Sequence, residues 1–302
     1  MVNKKINKKV VLILGANGQL GSCLKKISFQ YSDLKCFFYS KKQLDINENL
    51  KIEKIVNKLK PKYIINAAAY TNVDGAETNR NECVKVNSKS LIKIAKLCSV
   101  KNIILIHFST DYVYSGRKKS KYKESDYKSP ISFYGLSKLG GEKNIIKNMK
   151  NFFILRISGL FSNHKNSFIN KIINLSKKNI TIKVVNDQIT KPIFVDEICI
   201  FVFSLISKNL AKKNNFGVYN FPGKGNKTTW YKIAKIIEKK FIAKEIKFSK
   251  ILPAKSNELS FNAKRPANSS LDNKKIIKNF KIKQKHWKVN VENVLNDILS
   301  SQ

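Results

Sequence analysis

A glycine-rich turn near the start of the chain limits the folds open to it more than any other feature. The β-branched run Val10–Leu14 indicates a short buried strand, and it ends at Gly15. Gly18 and Gly21 complete a G-x-x-G-x-x-G spacing in the stretch GANGQLG, which opens a predicted helix. Glycines at these places permit a tight turn, close approach of the backbone to a pyrophosphate and close helix–sheet packing. The helix N-terminus supplies N–H donors, so the sequence predicts a dinucleotide-binding turn in a parallel sheet.

Strands and helices alternate through the first half of the chain. Short apolar runs predict strands at 10–14, 35–39, 63–67, 103–108 and 152–157. Apolar residues at helical spacing predict helices at 17–27, 49–59 and 87–98, and a further helix after Pro130. Because strands that alternate with helices form parallel sheets with right-handed crossovers, the predicted fold class is α/β, a Rossmann-type doubly wound parallel sheet.

The pattern changes after residue 160. Helix-like stretches at 168–175 and 196–207 alternate there with short strands, and the tail from Ile251 onward is predicted to be rich in loops. We therefore predict an NAD(P)-binding Rossmann domain at residues 1–160. Residues 161–302 are predicted to form mainly a smaller, C-terminal substrate-binding region, which is partly interleaved with the sheet.

The charge of the chain is extreme, with 59 Lys+Arg against 20 Asp+Glu and a formal net charge of +39. Such a balance favours nucleic acid as a partner. The lysines, however, are spread among many Asn and Ile residues, and Arg, which makes forked phosphate and guanine contacts, is nearly absent. Lys, Asn and Ile share A/T-rich codons, so base composition explains the excess more simply. We expect no nucleic-acid partner, although a positive field suits a small polyanionic ligand.

Neither the cysteines nor the apolar runs indicate secretion or membrane insertion. The cysteines form no C-x-x-C pair and no regular framework, which indicates reduced and mostly packed thiols; they are Cys23, Cys36, Cys83, Cys98 and Cys199. The basic start MVNKKINKKVVLILG has an apolar run too short for a signal-peptide core. The longest apolar run, Ile198–Ile206, is far below membrane-spanning length. We expect a soluble, cytoplasmic protein without membrane contact.

The end of the second predicted strand bears on the choice of cofactor. An acidic residue there would bind the ribose 2′-hydroxyl of NAD. The sequence instead continues as Tyr39-Ser40-Lys41-Lys42, with two cations and no acid. Two cations favour a 2′-phosphate, so the predicted cofactor is NADP, with NAD as the alternative. Asp45 is then free to lie near the adenine.

A tyrosine and a lysine one helical turn apart, Tyr134 and Lys138, are the predicted catalytic pair. The spacing alone carries little weight, because Tyr-x-x-x-Lys occurs four times in this lysine-rich chain, against about two occurrences expected by chance. Position distinguishes this pair, since it alone of the four lies on the helix that follows a strand ending in Ser109-Thr110. The carboxyl edge of a parallel sheet, where that strand ends, is where ligands bind.

The chemistry of ketone reduction assigns a role to each of these side chains. Hydride transfer leaves negative charge on the carbonyl oxygen, so Tyr134 is predicted to donate a proton there. The Lys138 ammonium is expected to lower the pKa of the tyrosine and to hold the nicotinamide ribose. Thr110 is expected to donate a hydrogen bond to the developing oxyanion. Three glycines in the same helix, each costing about 1 kcal/mol, indicate that a cofactor or another helix approaches it closely. They are Gly135, Gly140 and Gly141.

Together these motifs resemble the extended short-chain dehydrogenase/reductase superfamily, and within it the dTDP-4-dehydrorhamnose reductase family. The likeness covers nearly the whole chain. In the first half it consists of GANGQLG (15–21), LDI (44–46), NAAAYTNVDGAE (66–77), VN (86–87), STDYVYSG (109–116) and YGLSKLGGE (134–142). In the second half it consists of LR (155–156), NDQ (186–188) with Pro192, GVYNFPGKGNKTTWYKIA (217–234) and RPANSSLD (265–272).

The resemblance implies a reaction and a set of site residues. The implied reaction is NADPH-dependent reduction of the 4-keto group of dTDP-4-dehydro-L-rhamnose to dTDP-L-rhamnose, in nucleotide-sugar and cell-surface polysaccharide biosynthesis. The implied catalytic residues are Thr110, Tyr134 and Lys138. The cofactor-binding residues are Gly15, Asn17, Gly18, Gln19, Leu20, Lys41, Asp45, Ile46, Asn66, Ala67 and Ala68, together with Tyr134 and Lys138. The substrate-binding residues are Thr71, Val73, Thr110, Asp111 and Tyr112.

Two departures from the family pattern leave alternatives open. The family often has Trp after an Arg-Thr-Ser that follows its sixth strand, whereas this chain has Arg156-Ile-Ser-Gly159. The common D-Q-x-G-x-P-T is here Asp187-Gln-Ile-Thr-Lys-Pro-Ile193. The alternatives are a reductase of another nucleotide-linked 4-keto-6-deoxysugar and a non-catalytic NADP-binding regulatory subunit. The sequence shows no acidic cluster that calls for a metal, so none is predicted, and the family leaves room for a homodimer.

Overall fold

The computed structural model describes residues 8–300. Residues 1–7, which hold the basic start considered above, lie outside the described residues, as do 301 and 302. The strands are β1 Lys9–Leu14, β2 Leu34–Tyr39, β3 Tyr63–Asn66, β4 Ile104–Thr110, β5 Phe152–Ile157, β6 Leu160–Phe161, β7 Ile182–Val185, β8 Ile189–Thr190, β9 Ile193–Phe194, β10 Gly217–Asn220, β11 Thr228–Thr229 and β12 Ile251–Ala254. The helices are α1 Gln19–Ser28, α2 Asn49–Leu59, α3 Gly75–Thr78, α4 Arg80–Val84, α5 Ser90–Val100, α6 Phe133–Asn148, α7 Phe168–Ser176, α8 Val195–Ser207, α9 Trp230–Ile242, α10 Lys274–Phe280 and α11 Trp287–Ser300. A π-helical stretch, Lys85–Lys89, joins α4 to α5, and a 3-10 turn, Asp111–Val113, follows β4.

The centre of the molecule is a six-stranded sheet in which neighbouring strands are parallel. Its order is β10-β5-β4-β3-β1-β2. The chain first moves outward from β1 to β2 and then returns to build β3, β4 and β5 on the other side of β1. A reversal of this kind creates a crevice at the carboxyl ends of the strands. The predicted fold class is confirmed, and each of the five predicted strands is present within two residues of its predicted ends.

Helices cover both faces of this sheet. On one face, Val11 and Ile13 of β1 share a core with Leu24 of α1, and α8 contributes to the same core. On the other face, Leu12 of the same strand packs in a core with Ile52 of α2, which α5 helps to close. Alternate residues of a strand therefore enter opposite cores, as the two-residue period requires. Burial of each such Leu or Ile side chain stabilises the fold by about 1.5–3 kcal/mol.

The second half of the chain contributes both to the sheet and to a smaller region beside it. It supplies the edge strand β10 and the covering helix α8. A separate core joins α7, α9 and α11 with β7 and β12, and it contains Phe161, Ile233 and Trp287. The prediction of a loop-rich tail from Ile251 was wrong, because β12, α10 and α11 lie there. The division at residue 160 stays a prediction, with β10 and α8 as the interleaved parts.

The described residues also bear on the cysteines, on membrane spans and on metals. All five cysteines are free and four of them are buried, as packed thiols would be. Within residues 8–300, no helix is both long and apolar enough to cross a membrane. In the same range, no group of three or more His, Cys, Asp or Glu side chains is arranged to hold a metal ion.

Candidate active site

The turn between β1 and α1 has the geometry that a pyrophosphate site requires. Gly15 has a left-handed φ of +85°, and a Cβ built there would lie 2.5 Å from the backbone nitrogen of Ala68. A Cβ at Gly21 would lie 2.1 Å from the carbonyl oxygen of Gly15. Gly18 is exposed and precedes α1, and within the described chain no side chain caps that end of the helix. The first N–H groups of α1 therefore remain available to an anion.

The other residues predicted for this turn have different surroundings. Asn17 is exposed. The Oε1 atom of Gln19 accepts a hydrogen bond from the Ser162 hydroxyl at 2.9 Å, which links the turn to the second half of the chain. Leu20 packs against the core that lies between the sheet and α8. The backbone, rather than any one side chain, is thus the common surface of the turn.

At the end of β2 the predicted cations are in place, and one of them has acidic neighbours. The Nζ atom of Lys41 lies 3.9 Å from the Asp45 carboxylate and 3.5 Å from the Glu82 carboxylate. Lys42 is exposed, and within residues 8–300 it forms no salt bridge. Ile46, predicted to bind the cofactor, has its side chain buried in the core against α2 and α5. Lys42 is therefore the less neutralised cation at this position.

The residues after β3 run alongside the phosphate turn. The backbone N–H of Ala67 donates to the carbonyl oxygen of Leu14 at 2.9 Å. The Oδ1 atom of Asn66 accepts from the backbone N–H of Ala68 at 3.0 Å. The Nδ2 atom of Asn66 lies 3.1 Å from Nδ1 of His107 on β4, so the amide joins the cofactor side of the sheet to the catalytic strand.

Thr110 and Asp111 lie, both buried, at the carboxyl end of β4. The Thr110 hydroxyl donates to Oδ1 of Asp111 at 3.0 Å and accepts from the backbone N–H of Tyr112 at 3.2 Å. Burial raises the pKa of Asp111 to about 7, although hydrogen bonds from Ser269 and Thr110 act in the opposite direction. The carboxyl group beside the predicted oxyanion donor therefore changes its charge near neutral pH.

Tyr134 lies in the first turn of α6 and faces the end of β4. Its ring meets the ring of Tyr112 edge-on, with 6.0 Å between centroids. Burial raises the pKa of Tyr134, while a hydrogen bond with Thr110 acts in the opposite direction. Burial is the largest cause of the shift and the charge of Asp111 adds to it, so the lowered pKa expected for Tyr134 is not found in the structure. The phenol is protonated at neutral pH, as a proton donor must be.

Lys138 lies one turn further along α6 and is 2% exposed. Its Nζ atom donates to the carbonyl oxygen of Phe108 at 2.7 Å and lies 3.4 Å from Nε2 of His107. Burial lowers the pKa of Lys138 to about 8, while the Glu142 carboxylate acts in the opposite direction. Burial and the charge of Lys138 lower the pKa of His107 well below its ordinary value, so the imidazole is neutral. Lys138 is thus a buried cation whose charge responds to mildly alkaline pH.

Close contacts with neighbouring backbone explain the glycines of α6. A Cβ at Gly135 would lie 2.3 Å from the carbonyl oxygen of Tyr112. A Cβ at Gly141 would lie 2.2 Å from the carbonyl oxygen of Asn87, in the π-helical stretch. The sequence predicted that either a cofactor or another helix approaches α6 closely. At Gly141 the neighbour is another helix, and at Gly135 it is the turn after β4. Interruptions of this π type often lie at functional sites.

Loops from the second half of the chain reach the same edge of the sheet. Arg265 forks onto Asp74, with Nη1 3.0 Å from Oδ1 and Nη2 2.5 Å from Oδ2. The predicted substrate residues Thr71 and Val73 precede Asp74 in its loop; Thr71 is exposed and Val73 is half-buried. Arg265 and Ser269 were not among the predicted site residues. Both belong to the motif RPANSSLD, which was the available signal.

The two departures from the family pattern are in contact with each other. Gly159 follows β5, two residues beyond Ile157, which pairs with Thr110 across the strands. A Cβ at Gly159 would lie 2.8 Å from the hydroxyl oxygen of Thr190. Thr190 is buried, and its hydroxyl has no hydrogen-bond partner within the described part of the chain. A Cβ at position 159 would crowd the Thr190 hydroxyl, so the two departures meet at one place, just beyond the strand residue that pairs with Thr110.

Comparison with known proteins gives these residues a family context. The family model described as RmlD substrate binding domain matches residues 8–300. A dTDP-4-dehydrorhamnose reductase from Aggregatibacter actinomycetemcomitans is 33% identical over 287 residues, 94% of this chain and 97% of that protein. A dTDP-4-keto-6-deoxy-D-glucose reductase from Streptomyces niveus is 29% identical over 226 residues, 74% of this chain and 76% of that protein. The solved dTDP-4-dehydrorhamnose reductase of Bacillus anthracis str. Ames, in complex with NADP, has a TM-score of 0.87 and 30% identity, covering 96% of this chain and 99% of its own.

Proposed function

We infer the reaction from one premise: the chain belongs to the RmlD substrate binding domain family, whose model spans all the described residues. The chain is an NADPH-dependent oxidoreductase that reduces the 4-keto group of dTDP-4-dehydro-L-rhamnose to give dTDP-L-rhamnose. The near-full-length likeness to reductases of that name, one of them in complex with NADP, supports the substrate and the cofactor. The observation that carries the chemistry is that Thr110, Tyr134 and Lys138 meet at the carboxyl edge of the sheet.

The residues at the cofactor end fit a phosphorylated dinucleotide. The uncapped N-terminus of α1 and the exposed Gly18 suit a pyrophosphate, because backbone N–H groups and the helix dipole favour anions. Lys41 and Lys42 at the end of β2 suit a 2′-phosphate, whereas a carboxylate there would suit a free 2′-hydroxyl. The bound cofactor supplies the hydride. NAD is the alternative cofactor, since Lys41 also lies near Asp45 and Glu82.

The catalytic end handles the charge and the proton that reduction of a ketone requires. Negative charge develops on the carbonyl oxygen, and we propose that the Thr110 hydroxyl, which donates to Asp111 in the structure, turns to donate a hydrogen bond to that oxygen. Tyr134 donates the proton, since burial keeps its hydroxyl protonated at neutral pH. The Lys138 ammonium, which donates to the carbonyl oxygen of Phe108, is proposed to hold the nicotinamide ribose. Burial of these groups strengthens each interaction, because the local dielectric constant is low.

A reductase of another nucleotide-linked 4-keto-6-deoxysugar is the second candidate. The contact between Gly159 and Thr190 beside the catalytic end favours it, because it alters the space next to the sugar site. The Streptomyces niveus relative, named for a different sugar, shows that such chains occur among the similar proteins. A non-catalytic regulatory subunit is less well supported, since a purely binding protein does not need all three catalytic side chains.

Three further expectations accompany this function. Free and mostly buried cysteines support a cytoplasmic location, where thiols stay reduced. The spread of the lysines still favours a small anionic partner over nucleic acid. A homodimer stays a prediction, and the molar mass measured in solution by light scattering tests it.

The test couples the purified protein to dTDP-4-dehydrorhamnose and follows the consumption of NADPH and of NADH. We expect NADPH-dependent turnover by the wild type. Tyr134→Phe should reduce kcat by about 10²–10⁴-fold, the usual contribution of a general acid, while NADPH still binds. Tyr231→Phe is the matched control, because Tyr231 also has a lysine four residues later but lies on α9.

Each outcome separates the candidates. Turnover of only a different 4-keto-6-deoxysugar nucleotide would replace the proposed substrate with the second candidate. Undiminished turnover in Tyr134→Phe, or equal losses in both tyrosine variants, would refute the catalytic assignment. NADPH binding without turnover of any such sugar would favour the regulatory alternative.

A further inference from the structure

A buried ion pair lies directly behind the catalytic strand end. The Arg156 guanidinium of β5 forks onto Glu142 of α6, with Nε 2.9 Å from Oε1 and Nη2 2.5 Å from Oε2. The two side chains are 3% and 1% exposed. The Ser109 hydroxyl donates to Oε1 of Glu142 at 2.5 Å, and Nη1 of Arg156 donates to the Tyr114 hydroxyl at 2.7 Å. The pair is thus hydrogen-bonded on both sides, as charges in a protein interior must be.

This pair connects the elements that carry the three proposed catalytic residues. Ser109 immediately precedes Thr110 on β4 and is in register with Arg156 of β5. Glu142 lies one helical turn beyond Lys138 and two beyond Tyr134, on the same face of α6. The carboxylate of Glu142 therefore fixes the distance between the end of β4 and the helix that faces it.

Glu142 also acts on the charge of Lys138. Among residues 8–300, the titratable groups that contact Lys138 or act on its charge are His107 from β4, Cys83 from α4 and Glu142 from its own helix. His107 is neutral, because its pKa is well below the ordinary value, and burial raises the pKa of the Cys83 thiol, which stays protonated. Glu142 is the carboxylate of this group. Its charge keeps the pKa of Lys138 higher than burial alone would set it.

Stability alone does not account for this arrangement. Replacing a buried ion pair with apolar side chains of similar volume is often neutral or stabilising, because the cost of dehydrating both charges is large. An apolar pair would also close the gap between α6 and β5. It would leave the Ser109 hydroxyl without its carboxylate acceptor and Lys138 without a neighbouring negative charge. Those two consequences both concern the catalytic end.

We propose that Glu142, held by Arg156 and Ser109, is a positioning residue of the reaction. It anchors the end of β4 so that Thr110 meets Tyr134, and it holds a negative charge one helical turn from the ammonium of Lys138. This inference rests on the proposed function for the roles of those three residues. Glu142 itself acts through Ser109 and Lys138, and we assign it no contact with the substrate.

The experiment compares four variants with the wild type across pH. Glu142→Gln keeps the shape of the side chain and removes its charge. Glu142→Gln/Arg156→Met removes both charges, so that no unpaired guanidinium is left in the interior. Ser109→Ala removes one hydrogen bond and keeps the charge. Glu238→Gln is the matched control, because Glu238 is a buried carboxylate that accepts a hydrogen bond from the backbone of Ile251 and pairs with Lys235 on α9.

We measure kcat and KM with the proposed substrate, and NADPH affinity by fluorescence, each as a function of pH. In Glu142→Gln and in the double variant, kcat should fall roughly 10–100-fold, since a misplacement of about 1 Å can cost about 10²-fold. KM should change far less. Both kcat and NADPH affinity should fall at alkaline pH, where Lys138 loses its proton; we call this fall the alkaline limb. It should move to lower pH in both variants. In Ser109→Ala, kcat should fall while the limb stays in place, and in Glu238→Gln only the melting temperature should fall.

Several outcomes would overturn the proposal. One is an unmoved alkaline limb in both Glu142 variants; another is a loss of kcat that matches the lost folded fraction seen by circular dichroism. The binding measurement needs no sugar nucleotide. If the wild type does not turn over the substrate but the NADPH limb still moves, the proposed function fails and the effect of Glu142 on Lys138 stands. If the wild type turns over the substrate but the alkaline limb does not move in the Glu142 variants, the proposed function stands and the proposed role of Glu142 fails.

Discussion

The cofactor end and the catalytic end of the crevice are built in opposite ways. At the cofactor end the surface is backbone, and Gly18 and Lys42 are exposed to solvent. At the catalytic end the side chains of Thr110, Asp111 and Lys138 are buried. Burial moves the pKa of Asp111 up to about 7 and that of Lys138 down to about 8. One end therefore recognises a fixed charge through its shape, and the other holds groups whose charge changes near neutral pH.

This difference indicates how substitutions should act at each end. Where backbone forms the surface, an added atom does harm, because a Cβ displaces either the fold or the ligand. Where buried side chains form the surface, a removed atom or charge does harm, because it leaves a partner unsatisfied in a region of low dielectric. Binding of the cofactor should consequently depend little on pH through the glycine turn itself, whereas the catalytic step should depend on it strongly.

The largest expected effect comes from alanine in the glycine turn. Gly15→Ala forces a left-handed φ of +85° on a residue with a Cβ, and that Cβ lies 2.5 Å from the backbone of Ala68. Strain and overpacking together should reduce the free energy of unfolding by about 2–5 kcal/mol, measured by urea denaturation. Gly18→Ala should leave the fold intact, because Gly18 has an ordinary φ of −77°. Its Cβ would project into the pyrophosphate site, so the Kd for NADPH should rise by about tenfold, or about 1.4 kcal/mol.

The paired design separates damage to the fold from damage to binding. If Gly18→Ala also unfolds at lower urea concentration than the wild type, or if Gly15→Ala is as stable as the wild type, the turn is not the backbone surface described above. Gly217→Ala serves as a control of a different kind. Gly217 has a φ of +135°, but a Cβ there would meet nothing within 4 Å. It should cost stability through backbone strain without affecting NADPH.

An effect that depends on pH is expected for the buried carboxyl of Asp111. Its pKa is raised from 3.8 to about 7, so the folded chain holds a proton that the unfolded chain has lost between those values. The unfolding free energy should therefore fall by about 1.4 kcal/mol for each unit of pH through this range, and it should level off above about 7. Asp111→Asn should remove this slope. Urea denaturation of both proteins across the range measures it.

A matched carboxyl with the opposite shift provides the control. Lys118 and the backbone N–H of Lys123 lower the pKa of Asp126. Its stabilising contribution is present above its ordinary pKa and is lost as pH falls through the lower, folded value. Asp126→Asn should therefore leave the slope between 3.8 and about 7 in place. Equal slopes in the wild type and in Asp111→Asn would show that Asp111 is not buried as a neutral acid.

The two ends also differ in how far the sequence predicted them. The cofactor end follows from residues close together in the chain, since one strand, one turn and one helix place Gly15, Gly18 and Gly21. The catalytic end depends on contacts between distant segments. Arg265 meets Asp74 across 191 positions in the sequence, and no local pattern announces such a pair. The raised pKa of Tyr134 was missed for a related reason, because proximity to Lys138 is visible in the spacing and burial is not.

The C-terminal tail shows the same limit at the level of secondary structure. The tail from Ile251 was predicted to be rich in loops, and the stretch that forms α11 contains Asn and Val, which have low helix propensity. Its apolar residues nevertheless recur at helical spacing and pack against α7 and α9; they are Trp287, Val291, Val294, Leu295 and Ile298. Tertiary burial outweighs propensity here, as is usual for amphipathic helices in proteins.

The smallest expected effect tests whether exposed cations at the cofactor end choose between NADPH and NADH. Lys42→Ala should reduce the preference for NADPH by about two- to fivefold, the size of one exposed ion pair. Lys41→Ala should change it less, since Asp45 and Glu82 already lie 3.9 and 3.5 Å from that ammonium. Added salt should shrink the effect of Lys42, because exposed charges are screened. If both cofactors lose affinity equally in Lys42→Ala, the cation serves the general positive field, and selection of the 2′-phosphate must come from backbone N–H groups in the adjoining turn.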